Sequence, residues 1–160
     1  MRALLRSIAA CGLLVPAAIF ASDANTIGAR FEAFNATIQR LDLAEFILAI
    51  KGGSEHKAIQ LAESIDTSPV RAFYAETFLQ SNNECMKQDW CRFSYLLFLS
   101  THGLEDYRVS GFELITATEA RLITQGKNLR GVERKVITKW LLEGGEWMLD
   151  FISVGPADDH

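Results

Sequence analysis

The hydrophobic pattern of this chain changes its period once, close to Gly103. Before that glycine, apolar residues recur at spacings of three, four or seven, which is typical of amphipathic helices. After it, apolar and polar residues alternate, as they do in half-buried strands. Helices followed by a run of strands predict an α+β fold, in which N-terminal helices pack on a curved antiparallel sheet of four or more strands.

Four strands are predicted after Gly103, and short segments rich in turn residues separate them. They span residues 107–116, 119–125, 132–142 and 147–154, with breaks at 117–118, 126–128 and 143–146. Connections this short join neighbouring antiparallel strands. The sheet is therefore predicted to be a meander.

Three helices are predicted before residue 82. A long amphipathic helix ends at Gly52-Gly53, and its apolar stripe consists of Ile27, Phe31, Phe34, Ile38, Leu41 and Leu48. A short helix runs from the capping Ser54 to about Ser64. The third opens at Ser68-Pro69, because proline is favoured at the first helical position, and its inner stripe is Val70, Phe73, Tyr74, Thr77 and Phe78.

Residues 92–102 are apolar on nearly every side and fit either a buried strand or a buried helix. Their length, and Gly103 as a C-terminal cap, favour the helix.

Alternation assigns the strand residues to two faces. The inner face takes Phe112, Leu114, Ala120, Leu122, Thr124, Val132, Arg134, Val136, Thr138, Trp140, Leu142, Trp147, Leu149 and Phe151. The outer face keeps an apolar set: Tyr107, Val109, Ile115, Ile123, Ile137, Leu141 and Ile152. On this register Asp150 points outward and no carboxylate points inward. A single β-bulge would reverse the faces for part of a strand.

The N-terminal residues 1–24 are typical of a cleavable secretory signal. Arg2 and Arg6 precede an apolar run, and small residues follow, so cleavage after Ala21 or Ala24 is expected. The alternatives are an uncleaved membrane anchor, a lipoprotein signal at Cys11, and an ordinary buried N-terminal helix, which the flanking arginines disfavour. The run is short and contains Pro16, which argues against a membrane span, and it continues past Cys11. The remaining chain is assigned to one domain at 25–154 and a frayed tail at 155–160. The exported protein is expected in the periplasm or outside the cell.

Export leaves Cys85 and Cys91 as an even pair in an oxidising compartment, where a structural disulfide is the favoured interpretation. In a continuous helix their Cα atoms would lie about 9 Å apart, whereas a disulfide needs less than about 7 Å. A disulfide therefore requires a helix break between them. No histidine lies near either cysteine, and no metal or cofactor is predicted.

The mildly acidic net charge of −4 argues against binding to nucleic acid or to anionic membranes, because both depend on basic patches. We expect no insertion into the membrane once the signal is cleaved. The expected partners are a protein, a second copy of this chain, or a small apolar ligand.

Several segments resemble the nuclear-transport-factor-2-like superfamily, which includes ketosteroid isomerase and the SnoaL-like cyclases. They are the helix-Gly-Gly-helix run at 46–64, Ser68-Pro69 opening the Arg71-Ala72-Phe73-Tyr74 helix, residues 104–109, and the Gly144-Gly145-Glu146-Trp147 turn. The resemblance implies a curved sheet wrapped around helices, with a cone-shaped cavity. Its members include isomerases, cyclases, ligand binders and adaptors that are often dimeric, so fold alone does not choose a function.

No catalytic residues are assigned, because neither His102 nor Asp106-Tyr107 forms part of a recognisable catalytic set. The favoured function is an exported, non-catalytic interaction or accessory protein of the cell envelope, which associates through the outer sheet face. The first alternative is a binder of a small apolar ligand in the cone, with contacts from Tyr74, Phe112, Arg134, Thr138, Trp140 and Trp147. The second is a small-molecule isomerase or cyclase.

Overall fold

The change of period corresponds to a change from helices to a single antiparallel sheet. A computed structural model describes residues 17–82 and 89–157 of the chain. Within those residues the helices are α1 (Ala17–Arg40), α2 (Ala44–Lys51), α3 (Glu55–Ser64), α4 (Ser68–Arg71), α5 (Glu76–Asn82) and α6 (Asp89–His102). The strands, in sheet order, are β1 (Leu104–Thr116), β2 (Glu119–Asn128), β3 (Glu133–Glu143) and β4 (Glu146–Pro156). The α+β class and the meander are confirmed.

The structure describes only part of the predicted signal and part of the predicted C-terminal tail. Residues 1–16 lie outside the described residues, and residues 17–24 form the first turns of α1, so the cleavable signal stays a prediction. At the other end, β4 continues to Pro156, into the segment that was predicted to be frayed. Residues 158–160 are also outside the described part.

The predicted first helix is in fact two helices, because the chain turns at residues 41–43. Four residues of the predicted stripe are buried on α1: Ile27, Phe31, Phe34 and Ile38. Past the turn, α2 buries Phe46 and Ala49 instead. Leu48 is 67% exposed, so its place on the inner stripe was wrong.

The predicted third helix is also divided, because residues 73–75 pair with β4. The N–H of Leu149 donates to the Phe73 carbonyl at 2.7 Å, and the N–H of Ala75 donates to the Leu149 carbonyl at 2.8 Å. Tyr74 lies between them in a parallel bridge to Leu149. These bonds to the sheet replace helical bonds, so α4 ends at Arg71 and α5 begins at Glu76.

The helix predicted at 92–102 is confirmed as part of α6, but Gly103 does not act as a left-handed cap. It is absent from the glycines with positive φ, and β1 begins directly after it. A Cβ at Gly103 would lie 2.9 Å from Cγ2 of Ile38 and 3.1 Å from Cδ1 of Leu129. Close packing against α1 and the β2–β3 turn therefore requires the glycine.

One buried polar side chain joins α1 to the start of the sheet. The Asn35 amide Nδ2 donates to the Leu104 carbonyl, and the Leu104 N–H donates back to Asn35 Oδ1 at 2.7 Å. The exposed Gln39 adds a second bond to the same carbonyl, at 2.8 Å. The buried ends of β1 and α1 are thus fixed relative to each other.

Irregular pairing with β2 turns two residues of β1 to the inner face. The register shifts between Glu105 and Arg108, between Val109 and Gly111, and between Leu114 and Thr116. As a result Tyr107 packs edge-to-face on Phe31 of α1, with ring centroids 5.1 Å apart. Val109 pairs with the buried Thr124 and also faces the helix side. The prediction that Tyr107 and Val109 belong to the outer face was wrong.

Gly126 is a strand residue rather than the turn that the sequence suggests. A Cβ there would meet Cα of Tyr107 at 2.8 Å, so the first irregularity of β1 needs a glycine opposite it. β2 therefore continues to Asn128. The turn follows, where Asn128 Oδ1 accepts the N–H groups of Arg130 and Val132 at 3.0 and 2.9 Å.

A bulge in β4 reverses the faces of its last residues. Trp140 pairs with Leu149 and Lys139 pairs with Phe151, which leaves Asp150 as the extra residue. Beyond the bulge, Ile152 is buried and Phe151 is 55% exposed. Both had been assigned to the opposite faces, and those assignments were wrong.

Most of the predicted inner face is correct. Ala120, Leu122 and Thr124 of β2 are buried, as are Val136, Thr138 and Trp140 of β3 and Trp147 and Leu149 of β4. Val132 is an exception, because it precedes β3 and is exposed.

Candidate functional site

An apolar cleft opens between α5, α6 and the edge strand β4. Its volume is about 530 Å³, within the range typical of small-ligand sites. Its apolar wall includes Phe78 of α5, Tyr95 and Phe98 of α6, and Phe151 and Ile152 of β4. Thr77, Ser94 and Asp150 add polar groups. We call this site the apolar cleft.

Local sequence spacing places these side chains on the cleft. Cys91, Ser94, Tyr95 and Phe98 follow one another on α6 at intervals of three, one and three residues, which puts them on one side of the helix. On β4, the bulge at Asp150 presents both Phe151 and Ile152 to the cleft, although neighbours on a regular strand point to opposite faces. The cleft thus depends on a departure from regular pairing.

Asp150 lies on the wall of the cleft, and its carboxylate is held by two neighbours. The Thr77 hydroxyl donates to Oδ1 at 2.6 Å. Lys139 Nζ lies 3.3 Å from Oδ2, and the same ammonium lies 3.2 Å from Glu119. The pKa of Lys139 is raised, and the hydrogen bond to Glu119 is the main cause. Desolvation lowers this pKa, and the bond to Asp150 raises it. Asp150 therefore takes part in an ion-pair network that ties α5 to the sheet.

Aromatic contacts support the inner wall of the cleft. Tyr74 stacks on Phe78 with centroids 4.2 Å apart, and the Tyr95 hydroxyl donates to the Tyr74 hydroxyl at 2.9 Å. Burial raises the pKa of Tyr95 to about 12, and burial also raises the pKa of Tyr74 well above its ordinary value. Both phenols consequently stay neutral near pH 7, and the cleft gains no charge from them.

Four of the six residues predicted to contact a ligand lie in the packed core. Thr138 and Trp140 are fully buried, and Tyr74 and Trp147 nearly so. The Trp140 Nε1–H donates to Thr138 Oγ1 at 2.8 Å, and that hydroxyl donates to the Leu122 carbonyl at 3.3 Å. The indole N–H of Trp140 and the Thr138 hydroxyl therefore already have partners within the protein, and the Tyr74 hydroxyl accepts a bond from Tyr95.

The other two predicted contacts lie elsewhere. Phe112 lines a groove between α1 and β1, together with Ala24, Gly28 and Val109. Arg134 is half-buried at the far end of β3, where it pairs with Gly126 and Pro156. The structure therefore does not bring the six residues into one cavity, and their role in ligand binding stays a prediction.

His102 is an interior group of α6. It is buried, its Nδ1 bonds to the Phe98 carbonyl, and its ring lies against the Phe98 ring with centroids 3.5 Å apart. Burial lowers the pKa of His102 to about 4. It is therefore a neutral, packed side chain near pH 7.

The predicted disulfide falls partly outside the described residues. Cys91 is buried in the first turn of α6, while Cys85 belongs to residues 83–88, which are not described. α5 ends at Asn82 and α6 begins at Asp89, so the predicted helix break between the two cysteines also falls outside the described residues. The pairing of Cys85 with Cys91 stays a prediction.

Two further properties can be stated for residues 17–82 and 89–157. These residues contain no group of three or more histidine, cysteine or acidic side chains that could hold a metal ion. Over the same residues, no helix combines the length and the apolar character needed to cross a membrane.

Comparisons with known proteins found no matching family model, no similar curated protein and no similar solved structure. The resemblance to the nuclear-transport-factor-2-like superfamily therefore rests on the sequence segments quoted above.

One feature of the sequence indicates the apolar cleft. In the run Trp147-Met148-Leu149-Asp150-Phe151-Ile152, alternation fails at the adjacent pair Phe151-Ile152. Two consecutive large apolar residues in an otherwise alternating strand are what a bulge next to a cleft produces. Tyr95 and Phe98 gave no such signal, because α6 is apolar on nearly every side in that region.

Proposed function

We propose that this chain is a non-catalytic protein that binds a small apolar molecule in the apolar cleft. The observation that supports the proposal is the convergence of Phe78, Tyr95, Phe98 and Phe151, from three separate elements, on one cleft of about 530 Å³. Aromatic rings with a few polar groups at the rim are the usual lining of such sites.

The exposure of Phe151 supports the same proposal. A large aromatic side chain that is 55% exposed leaves apolar surface in contact with water, and a ligand in the cleft would cover part of it. The polar atoms of Tyr74, Thr138 and Trp140 in the predicted cone interior have partners within the protein, so the apolar cleft is the better candidate for a small-molecule site.

The predicted export signal extends the proposal to the place where the protein acts. We propose that it is an accessory protein of the cell envelope, either periplasmic or secreted, because residues 1–24 have the order of a cleavable signal. Helices packed on one side of an antiparallel sheet also agree with the nuclear-transport-factor-2-like resemblance.

N-phenyl-1-naphthylamine, an uncharged fluorescent probe, tests ligand binding. We expect saturable binding to the wild-type protein. Ser94→Trp, which places a bulky ring in the cleft, should weaken binding at least about tenfold, equivalent to ~1.4 kcal/mol. Phe151→Ser should also weaken binding of the probe, because it removes an aromatic ring from the wall of the cleft. Leu48→Ser is the matched control, because Leu48 is exposed on α2 and does not line the cleft.

Absence of saturable binding to the wild-type protein would overturn the proposal. Equal affinities for wild type and Ser94→Trp would do so as well. Circular dichroism of each variant shows whether a loss of binding comes from loss of fold.

A second candidate function is self-association through the outer face of the sheet. Ile123 and Ile137 pair directly across β2 and β3 on that face, and Leu141 and Phe151 lie on the same side. Paired charges lie between them: Arg121 bonds to Glu113 at 3.0 Å, and Lys139, which pairs with Arg121 between Ile137 and Leu141, bonds to Glu119 at 3.2 Å. Large apolar side chains on an outer sheet face favour burial against a second copy.

Light scattering coupled to size exclusion tests this second candidate. The wild-type protein should elute as a dimer, and Ile137→Lys should shift it to the monomer, because a lysine would be buried without a partner. Leu48→Lys should leave the mass unchanged. A monomeric wild-type protein over the accessible concentration range would exclude self-association.

A further inference from the structure

A second, polar cleft lies on the other side of Tyr95. It opens between the α3–α4 connection and α6, with a volume of about 340 Å³. Its charged residues are Glu63, Asp66, Arg71 and Arg92, and its hydroxyl groups come from Ser64, Thr67, Ser68 and Tyr95. Among the described lining residues, Tyr95 is the one that also lines the apolar cleft.

Two guanidinium groups on this polar cleft lack an ionic partner within the described part of the chain. Neither Arg71 nor Arg92 has a carboxylate oxygen of a described residue within 4 Å. Both arginines are exposed on the cleft, so their N–H groups are accessible to a ligand. Guanidinium groups bind carboxylates in a bidentate manner, which makes them suited to an anionic ligand.

Two acidic residues, Glu63 and Asp66, also line the polar cleft. Asp66 Oδ1 accepts the N–H of Ser68 at 2.9 Å, and that bond lowers the pKa of Asp66, so its carboxylate is charged near pH 7. Neither carboxylate lies within 4 Å of the Arg71 or Arg92 guanidinium, which leaves both guanidinium groups able to bind a carboxylate directly.

Tyr95 connects the two clefts. Its hydroxyl donates to Tyr74, its ring stacks against Phe98 of the apolar cleft at 6.3 Å, and the charge of Arg71 acts on its phenol from the polar side. Only one aromatic side chain therefore stands between an aromatic wall and a pair of cations. A ligand with an apolar part and an anionic end could contact both clefts at once.

We infer that the ligand is an amphipathic carboxylate, with its hydrocarbon chain in the apolar cleft and its anionic head bound by Arg71 and Arg92 across the Tyr95 side chain. This inference rests on the proposed binding of an apolar molecule and names the chemical class of that ligand. A single-chain carboxylic acid has this chemistry, whether it is free or released from a lipid.

Decanoate and decan-1-ol have the same chain length and differ in charge, so they test the head group directly. Isothermal titration at pH 8 and low salt should show decanoate binding about tenfold more tightly than decan-1-ol to the wild-type protein. Raising the salt to about 0.5 M should reduce the difference, since salt screens exposed charges.

Substitution of the two arginines assigns the effect to the polar cleft. In Arg71→Gln/Arg92→Gln the preference for decanoate should fall to about twofold or less, while decan-1-ol binds as it does to wild type. Arg130→Gln, on the exposed β2–β3 turn, is the matched control and should retain the full preference. Both cleft arginines are exposed, so the variant should fold, and a thermal melt checks this.

The outcomes separate the inference from the function on which it rests. If decanoate and decan-1-ol bind equally, or if the preference survives in the double arginine variant, the inference is overturned and the apolar cleft keeps its proposed function. If neither compound binds and the naphthylamine probe also fails to bind, both proposals are overturned. A lipid source is distinguished from a free acid by adding phosphatidylglycerol vesicles: co-sedimentation of the protein would indicate direct binding to the lipid and contradict the carboxylate.

Discussion

Asn35→Ala should destabilise the protein by about 3 kcal/mol, although alanine is the better helix former at that position. The substitution removes both bonds to Leu104, and it leaves the Leu104 N–H buried without the Asn35 acceptor. An unsatisfied buried donor costs about 1–3 kcal/mol, and the small cavity adds to that cost. Urea denaturation, with linear extrapolation to water, gives the free energy of unfolding.

Gln39→Ala is the matched control for this prediction. Gln39 bonds to the same Leu104 carbonyl but is exposed, and Asn35 still serves that carbonyl after the substitution. We therefore expect a loss below about 1 kcal/mol. Equal losses in the two variants would show that the paired bond of Asn35 does not fix β1 to α1.

Acidification from pH 7 to pH 4 should destabilise the wild-type protein by about 3 kcal/mol more than it destabilises His102→Gln. Burial lowers the pKa of His102 in the native state to about 4, from an ordinary value of 6.5, and the bond to Phe98 opposes that shift only in part. Between these two values the unfolded chain binds a proton that the native protein does not bind. Stability is therefore lost as the pH falls from about 6.5 to about 4, and this group causes no further loss below that.

The difference in slope between the two proteins isolates His102 from the carboxylates, which titrate in both. Free energies of unfolding at half-unit pH intervals are sufficient for the comparison. His56→Gln should reproduce the wild-type profile, because His56 is exposed on α3. Parallel profiles for wild type and His102→Gln would contradict the burial of a neutral imidazole.

Much of the fold was predictable, because the period of the hydrophobic pattern alone distinguishes helices from strands. The change at Gly103 placed the helices before the sheet, and short connections predicted the antiparallel order. Within β3 every second residue from Val136 to Trp140 is buried, as predicted, since that part of the strand pairs regularly with β2. Where local pattern and tertiary pairing agreed, the sequence was sufficient.

The failures arose where a distant partner determined the local conformation. Residues 73–75 were predicted to be helical. Hydrogen bonds to Leu149, which is more than 70 positions away in the sequence, instead hold them beside β4. Tyr107, Val109, Phe151 and Ile152 were placed on the wrong faces, because β-bulges change the alternation. Asn35 gave no sign of its role, since its partner Leu104 is 69 residues away.

The candidate site was less predictable than the fold, and for the same reason. The residues first expected to bind a ligand proved mostly to be core, since large apolar side chains on an inner face fill space in either case. The apolar cleft instead forms where α5, α6 and the bulge of β4 meet. Such a junction depends on how three elements pack, and no single segment encodes it.

The irregular strands also affect how the molecule avoids sticking to copies of itself. Among the residues that the structure describes, β1 and β4 each have one edge without a neighbouring strand, because the four-stranded sheet is open. The register shifts of β1 interrupt its edge, and residues 73–75 cover part of the edge of β4 while its bulge bends the remainder. Neither edge offers a long, regular row of backbone groups on which another chain could add a strand and begin a fibril. Contacts through the faces of the sheet, or through the clefts, can then form without competition from edge-to-edge aggregation.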